Sequence, residues 1–284
     1  MRVLVLGAAG IVGRATVVEA ARRGWDVRGL TRAECDIGEP DAPVRSVADF
    51  RPALVVNCAA FTQVDACESD PELAMAINGE AVGRVAMAAA GAGARLVQLS
   101  TDYVFDGSGR EPYPEEHPTA PRSAYGRSKL LGEHRALAVP GTLVVRTSWI
   151  FGAGGPNFVD TIRRKLEEGA APLRVVDDQV GAPTYAPFLA RALADLGESG
   201  AGGIVHYQNR EPVSWFGFAR AIARGLGFDE GAIEPATTAE VPRPAPRPAW
   251  SVLDVRRFER ITGRPVERWE DGLAEYLGST GERR

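Results

Sequence analysis

The sequence predicts an α/β protein, a doubly wound parallel sheet with a smaller, discontinuous C-terminal lobe. Three observations carry that expectation. Short β-branched and leucine runs alternate with helix-length segments as far as about Trp149, the rhythm of strand–helix–strand crossovers. The first run, RVLVL at 2–6, passes directly into Gly7-Ala8-Ala9-Gly10-Ile11-Val12-Gly13, a glycine turn opening a helix. Beyond about residue 200 the rhythm gives way to helical segments and a proline-rich stretch.

Taken in order, residues 2–6 read as a buried parallel strand and 11–23 as a helix that Gly24 terminates. A strand at Asp26–Leu30, a helix around Pro43–Phe50 and a strand at Leu54–Cys58 follow. The alanine-rich stretch from about Pro71 to Gly91 reads as one long helix. Arg95–Leu99 is then a strand, 125–138 a helix and Thr142–Thr147 a strand. Right-handed crossovers set the loops after these strands along one sheet edge. Gly152, Gly154, Gly155 and Pro156 form a loop before a helix at about Phe158–Glu168. Leu173–Val176 reads as a further strand returning to the sheet, and Ala186–Leu196 as its last helix. The C-terminal lobe has a helix near Ser214–Leu226 and helical segments to about Leu277, with Trp215, Phe216 and Phe218 in its core. Between them, Pro235 to Pro248 reads as an ordered loop, since Trp250 and a helix follow at once; a disordered linker is the alternative. The tail Gly278–Arg284 is expected to fray. There is no internal repeat.

A chain of 284 residues with 45% hydrophobic side chains can bury a sizeable core. Its formal charge of −4, from 33 basic and 37 acidic side chains, gives no footprint for nucleic acid or an anionic membrane. A phosphate-bearing ligand must therefore be held by local geometry. Cys35, Cys58 and Cys67 are an odd count without framework spacing, pointing to a reducing cytosol. The apolar start at Val3–Leu6 is too short for a signal peptide, and no run approaches the ~18 residues of a membrane span. A cytoplasmic, soluble protein is expected. His117, His134 and His206 are scattered without ligand spacing, so no metal is expected.

The glycine loop lies between the first strand and the first helix. Glycines there let a pyrophosphate approach the free N–H groups at the helix start, where the dipole favours negative charge. Gly7, Gly10, Ile11, Val12 and Gly13 are therefore candidate cofactor contacts, on a G-x-x-G-x-x-G spacing one residue wider than the common dinucleotide fingerprint. After the second strand, Gly29-Leu30-Thr31-Arg32 has no acid for a ribose 2′-hydroxyl. Arg32 could meet a 2′-phosphate, which favours NADPH; as an ordinary surface charge it would leave NADH open. Asp36 and Ile37 lie where a loop could touch adenine, and Cys58-Ala59-Ala60-Phe61-Thr62 ends the next strand with small residues suited to a ribose and nicotinamide.

Ser100-Thr101-Asp102 ends the strand Arg95–Leu99, and Tyr125-Gly126-Arg127-Ser128-Lys129 opens a later helix. Residues i and i+4 share one helix face, so Tyr125 and Lys129 can enter one site. A nearby ammonium and a cationic nicotinamide favour the phenolate, which would bring Tyr125 toward acid–base service. Lys129 can also hold the nicotinamide ribose, and the Thr101 hydroxyl can fix a carbonyl oxygen that Tyr125 protonates. Asp102 and Asp106 read as strand-end caps rather than acids.

With the wide glycine loop, Ser/Thr and Tyr-x-x-x-Lys, the chain resembles the extended short-chain dehydrogenases/reductases, and among them the dTDP-4-dehydrorhamnose reductase family. The matching stretches are Asn57 to Asp65, STDYVFDG at 100–107, RTSWIFG at 146–152, Asn157-Phe158, Asp178-Gln179, Gly181 to Thr184 and Arg247-Pro248 to Ser251. The resemblance implies a Rossmann-type domain at 1–152 with about 174–200, and a substrate-binding lobe at about 153–173 with 201–284. It implies catalysis by Thr101, Tyr125 and Lys129, and hydride transfer from NADPH, or NADH, to the 4-keto group of a nucleotide-linked deoxysugar. Tyr103, Val104, Trp149, Asn157 and Arg247 would join Thr101 and Tyr125 against that substrate, with Ala59, Ala60 and Thr62 toward the cofactor. A monomer or homodimer is expected. Related 4,6-dehydratases carry an acid pair after the threonine; here Tyr103 follows Asp102. An epimerase would use the same Tyr and Lys, and a non-catalytic subunit like the regulatory one of methionine adenosyltransferase would have lost the Thr/Tyr/Lys set. An antibiotic-pathway ketoreductase would look much the same.

Overall fold

The computed structural model describes residues 1–170 and 172–281. In β1 (Arg2–Leu6), Val3 and Val5 face one side and Leu4 and Leu6 the other, all four wholly buried between helical layers. Then come α1 (Ile11–Arg22), β2 (Asp26–Leu30), α2 (Ala42–Phe50) and β3 (Leu54–Asn57). The single helix expected over 71–91 is present as one continuous run of helical backbone, with a π-helical turn inside it. After α3 (Val64–Ser69) come α4 (Pro71–Met75), a π-helical turn at Ala76–Glu80 and α5 (Ala81–Gly91). The π-helical turn packs closely on α6 (Ala124–Leu137), which comes after β4 (Arg95–Thr101). A Cβ on Gly79 would lie 2.5 Å from Leu131, and one on Gly132 would fall on the Asn78 carbonyl.

After β5 (Thr142–Thr147) the elements shorten: β6 (Ile150–Phe151), α7 (Phe158–Glu167), β7 (Leu173–Val176), β8 (Val180–Gly181) and β9 (Thr184–Tyr185). Then follow α8 (Ala186–Ser199), β10 (Gly203–His206), β11 (Val213–Ser214), α9 (Trp215–Gly225), β12 (Ile233–Ala236), α10 (Arg256–Thr262) and α11 (Trp269–Gly281). The six-stranded sheet runs β10-β5-β4-β3-β1-β2, parallel throughout. Helices α1 and α8 pack together, as do α2, α5 and α6, so both faces are covered. The strand order reverses between β1 and β3, and the crevice beyond their C-terminal ends is where such sheets bind ligands.

Two strands are not where the sequence predicts. Leu173–Val176 does not return to the sheet; it pairs with β12 in a separate two-stranded sheet. Its side chains alternate, Arg174 pointing outward to an ion pair with Glu240, whereas a central parallel strand is apolar on both faces. The sixth strand is Gly203–His206, beside β5, within the segment expected to belong to the C-terminal lobe. Its four residues follow a glycine turn and give too short a signal to read as a strand. The proline-rich stretch is an ordered strap. The Ala245 N–H and Arg247 both donate to Asp65 Oδ1, at 3.1 and 2.9 Å, and Trp250 Nε1 donates to the Glu111 carbonyl at 2.9 Å. Helix α11 runs past Gly278 to Gly281; the rest of the tail expected to fray, 282–284, lies outside the described residues. Among the described residues, no helix is long and apolar enough to cross a membrane.

Candidate active site

The turns after β1, β3, β4 and β5 open on one cavity of about 750 Å³. The three loop glycines line it, but for different reasons. Gly7 has φ +77°, and a Cβ there would lie 2.7 Å from the Ala59 nitrogen. A Cβ on Gly13 would collide with the Gly7 carbonyl. Both are demanded by the protein's own packing. Gly10 is extended, with φ −77° and ψ 168°, and a Cβ there would meet only the Gly7 oxygen, at 3.4 Å. Its missing side chain leaves space at the N-terminus of α1, a cradle suited to a pyrophosphate.

Ile11 and Val12 line the same end, as do Arg32, Asp36 and Ile37. Asp36 Oδ1 accepts from the Gly38 N–H at 2.9 Å and Oδ2 from Arg32 Nε at 2.9 Å. These contacts hold its carboxyl below the usual range, the Gly38 bond first. Ala59, Ala60 and Thr62 form the next wall. That loop is fixed by a residue the sequence reading passed over: Asn78, 1% exposed on the π-helical turn, hydrogen-bonds both backbone groups of Phe61. Its one signal was an Asn-Gly pair, a turn former, inside an apparent helix.

Thr101 ends β4 and Tyr125 opens α6, whose N-cap Ser123 accepts from the Gly126 N–H at 3.0 Å. Tyr125 and Lys129 reach the cavity together with Thr101 and Tyr103. Tyr103 sets its ring edge-on to Tyr125, centroids 5.6 Å apart. Lys129 is 4% exposed and its Nζ donates to the Leu99 carbonyl at 2.8 Å. Desolvation lowers its ammonium to about 8, with Glu133 opposing. The expected lowering of the Tyr125 phenol does not occur in the protein itself. Burial raises it above its ordinary value and the Asp102 charge adds to this, while hydrogen bonding with Thr101 opposes. The phenol is thus held protonated, the form a proton donor needs.

Asp102 is 3% exposed, and burial lifts its carboxyl to about 7. It lines the cavity and is more than the cap the sequence suggested.

Trp149 lines the cavity with φ +46°, a left-handed backbone that a bulky side chain rarely adopts. Its indole stacks on Trp215 at 3.5 Å between centroids, 7° from parallel. Trp215 thus packs against the lobe's core and buttresses the cavity wall. Three expected substrate contacts stand elsewhere. Val104 is wholly buried in a small core with Phe105, Tyr113 and Leu253. Asn157 caps α7: Oδ1 accepts from the Asp160 N–H, and Nδ2 is engaged by Asp160 Oδ2 and the Gly152 carbonyl. Arg247 is paired to Asp65 at 2.9 Å and does not line the cavity. In each, short-range packing or an ion pair has claimed the group. Sequence reading also missed the lip: Gly154, Gly155 and Pro156 line the cavity, and a Cβ on Gly154 would lie 2.9 Å from Arg14 Nε. Among the described residues, no group of three His, Cys, Asp or Glu could hold a metal.

The RmlD substrate binding domain family model matches residues 1–281. The dTDP-4-dehydrorhamnose reductase of Streptomyces griseus is 46% identical, over 96% of this chain and 92% of that protein. The crystal structure of a dTDP-4-dehydrorhamnose reductase from Clostridium acetobutylicum superposes with a TM-score of 0.95 at 38% identity, covering 99% of this chain and 100% of that one. The enzyme of that name from Bacillus anthracis, solved in complex with NADP, gives 0.93 at 34% identity, with 98% and 99% covered. The chain belongs to the RmlD substrate binding domain family.

Proposed function

We propose that this protein reduces the 4-keto group of a nucleotide-linked 6-deoxyhexose with NADPH, its foremost substrate being dTDP-4-dehydro-L-rhamnose, giving dTDP-L-rhamnose. The observation that carries the reading is one cavity with the glycine loop at one end and Thr101, Tyr125 and Lys129 at the other. The full-length likeness to dTDP-4-dehydrorhamnose reductases supports the substrate.

The residues fit the cofactor. Gly10 leaves the space a pyrophosphate needs, Arg32 offers a cation where a 2′-phosphate would lie, and Ala59, Ala60 and Thr62 leave room for a ribose. When bound, NADPH supplies the hydride. Tyr125 donates its phenolic proton to the keto oxygen as that oxygen gains negative charge. Thr101 fixes the oxygen by a hydrogen bond, and Lys129 holds ribose hydroxyls and favours the phenolate left behind. Tyr103 and Trp149 give the sugar two aromatic surfaces.

The sheet with α1, α2, α5, α6 and α8 would hold the cofactor, and the elements from β6 to β9 and after β10 the sugar nucleotide. The free thiols of Cys35, Cys58 and Cys67 support a cytosolic setting, and the chain would act as a monomer or homodimer. Retention of Thr101, Tyr125 and Lys129 argues against a purely regulatory subunit.

The test is absorbance loss from NADPH or NADH against a panel of 4-keto nucleotide sugars. Tyr125→Phe should keep cofactor affinity and lower turnover roughly 10²-fold or more. Unchanged turnover would sink the assignment, and preference for a different 4-keto sugar would move it to a sister ketoreductase.

A further inference from the structure

The Thr101 hydroxyl has one proton and two lone pairs, and its neighbours compete for them. Its Oγ1 accepts from the Tyr103 N–H at 3.2 Å, faces the Tyr125 phenol, and lies 2.9 Å from Asp102 Oδ1. The other Asp102 oxygen, Oδ2, is buried and has no hydrogen-bond partner among the described residues. The Ser251 hydroxyl beside it makes no bond of good geometry, yet it lies close enough to favour the carboxylate, as Thr101 does, and burial outweighs both. A carboxylate with an orphaned oxygen is poorly solvated, and the neutral acid suits this setting better.

The protonation state of Asp102 decides what Thr101 can do. Beside a carboxylate, the Thr101 proton must go to Oδ1. The hydroxyl then has only a lone pair to offer, and it competes with the substrate for the Tyr125 proton. Beside the neutral acid the bond reverses at the same distance. Asp102 donates, Thr101 accepts from Asp102 and from the Tyr103 N–H, and its own proton is free for a keto oxygen.

We propose that Asp102 is a positioning residue that, as the neutral acid, donates a hydrogen bond to Thr101 and so turns the Thr101 hydroxyl toward the substrate's keto oxygen. The inference rests on the reductase reading above. The ionisable groups facing Asp102 are the phenols of Tyr103 on its own turn and Tyr125 on α6. The segment packed over it brings the uncharged Ser251, while Arg247 acts on Tyr103. Burial places its ionisation at about 7.

The experiment compares kcat/KM against pH for the wild type and Asp102→Asn. The wild type should lose about tenfold per pH unit above about pH 7 as Asp102 ionises. The Asn amide can donate to Thr101 at every pH, so the limb near pH 7 should disappear and leave the falls at higher pH, from Lys129 at about 8 and from Tyr125 above it. A limb unmoved in Asp102→Asn overturns the proposal, and so does an equal loss at every pH, the mark of a merely structural residue. Infrared difference spectra give a readout without turnover. A buried protonated carboxyl should titrate near pH 7 in the wild type, and its absence overturns the proposal. Should Asp102→Asn fail to fold, the same titration in Thr101→Val decides: it should move upward once the hydroxyl that favours the carboxylate is gone, and an unmoved titration overturns the coupling. Failure of the wild type to reduce any 4-keto nucleotide sugar would instead overturn the reductase reading, whatever the infrared titration showed.

Discussion

Asn78 clamps both backbone polar groups of Phe61: the Phe61 N–H donates to Oδ1 at 2.7 Å, and Nδ2 donates to the Phe61 carbonyl at 2.9 Å. Nδ2 also donates to Ser128 Oγ at 3.0 Å, and that hydroxyl donates to the Tyr125 carbonyl at 2.8 Å. One side chain on a π-helical turn thus ties the cavity wall after β3 to the helix carrying Tyr125 and Lys129. π-Turns of this kind recur at functional sites. Asn78→Ala would leave the part-buried Phe61 N–H without this partner and its carbonyl with only the weak Cys67 thiol donor, at a cost of roughly 1–3 kcal/mol. Urea unfolding should show that loss, and the KM for NADPH should rise with it. A variant within about 0.5 kcal/mol of wild type, with unchanged KM, would mean the wall stands without the clamp.

Gly10 and Gly13 lie in one loop yet should answer substitution in opposite ways. Gly10 has an extended backbone and an open side, so Gly10→Val should fold at close to wild-type stability and lose most NADPH affinity. A Cβ on Gly13 strikes the Gly7 carbonyl, so Gly13→Ala should damage the fold itself. Thermal melts and cofactor titrations on both variants would separate the two. A Gly10→Val protein that still binds NADPH normally would put the pyrophosphate elsewhere.

Arg32 is 83% exposed along its side chain and engaged with Asp36 through Nε. Its remaining guanidinium nitrogens can take a 2′-phosphate. A charge-assisted bond is worth roughly 1.5–3 kcal/mol, so Arg32→Ala should weaken NADPH binding by roughly 10- to 100-fold and leave NADH almost unchanged. Equal weakening of both, measured by fluorescence titration, would show that Arg32 does not read the phosphate.

What the sequence made legible was whatever repeats at short range. The four-residue step from Tyr125 to Lys129 fixes a helix face, and RVLVL running into the glycine loop announces a strand, a turn and a helix start. Long-range choices were not legible. Nothing within GIVH at 203–206 says that it joins β5 rather than the lobe, since that pairing is decided across the chain. Nor could spacing foretell that Asn157 and Arg247 would be consumed by a helix cap and by Asp65. The same holds for Trp215, read as core, which also stacks on the strained Trp149 at the cavity wall. Asp102 shows the converse. Its residue type and place suggested a cap, and only its burial with one unpartnered oxygen marks it as something else.

His206 gives a prediction about stability. It is wholly buried on β10, with Nδ1 3.1 Å from the Tyr113 carbonyl, which can only accept, so Nδ1 carries the hydrogen. Nε2 therefore accepts, facing Arg146 Nη1 at 3.4 Å, and Arg146 is locked to Glu133 through Nε and Nη2 at 2.9 and 2.7 Å. A second proton would set an imidazolium against that guanidinium in the core. Burial first, and then Arg146, push the imidazole from 6.5 down to about 3. Between those values the unfolded chain holds a proton on this residue and the folded protein does not. Stability therefore rises with pH through that window. It is fully present above about pH 6.5 and is lost on acidification toward about pH 3, by roughly 1.4 kcal/mol per pH unit from this group. His206→Gln removes the titration while keeping a side chain that can donate to Tyr113 and accept from Arg146. The wild type's advantage over this variant in urea unfolding should therefore shrink by roughly 2 kcal/mol from about pH 7.5 to about pH 5. A difference that stays constant across that range would mean His206 is not held neutral by the core.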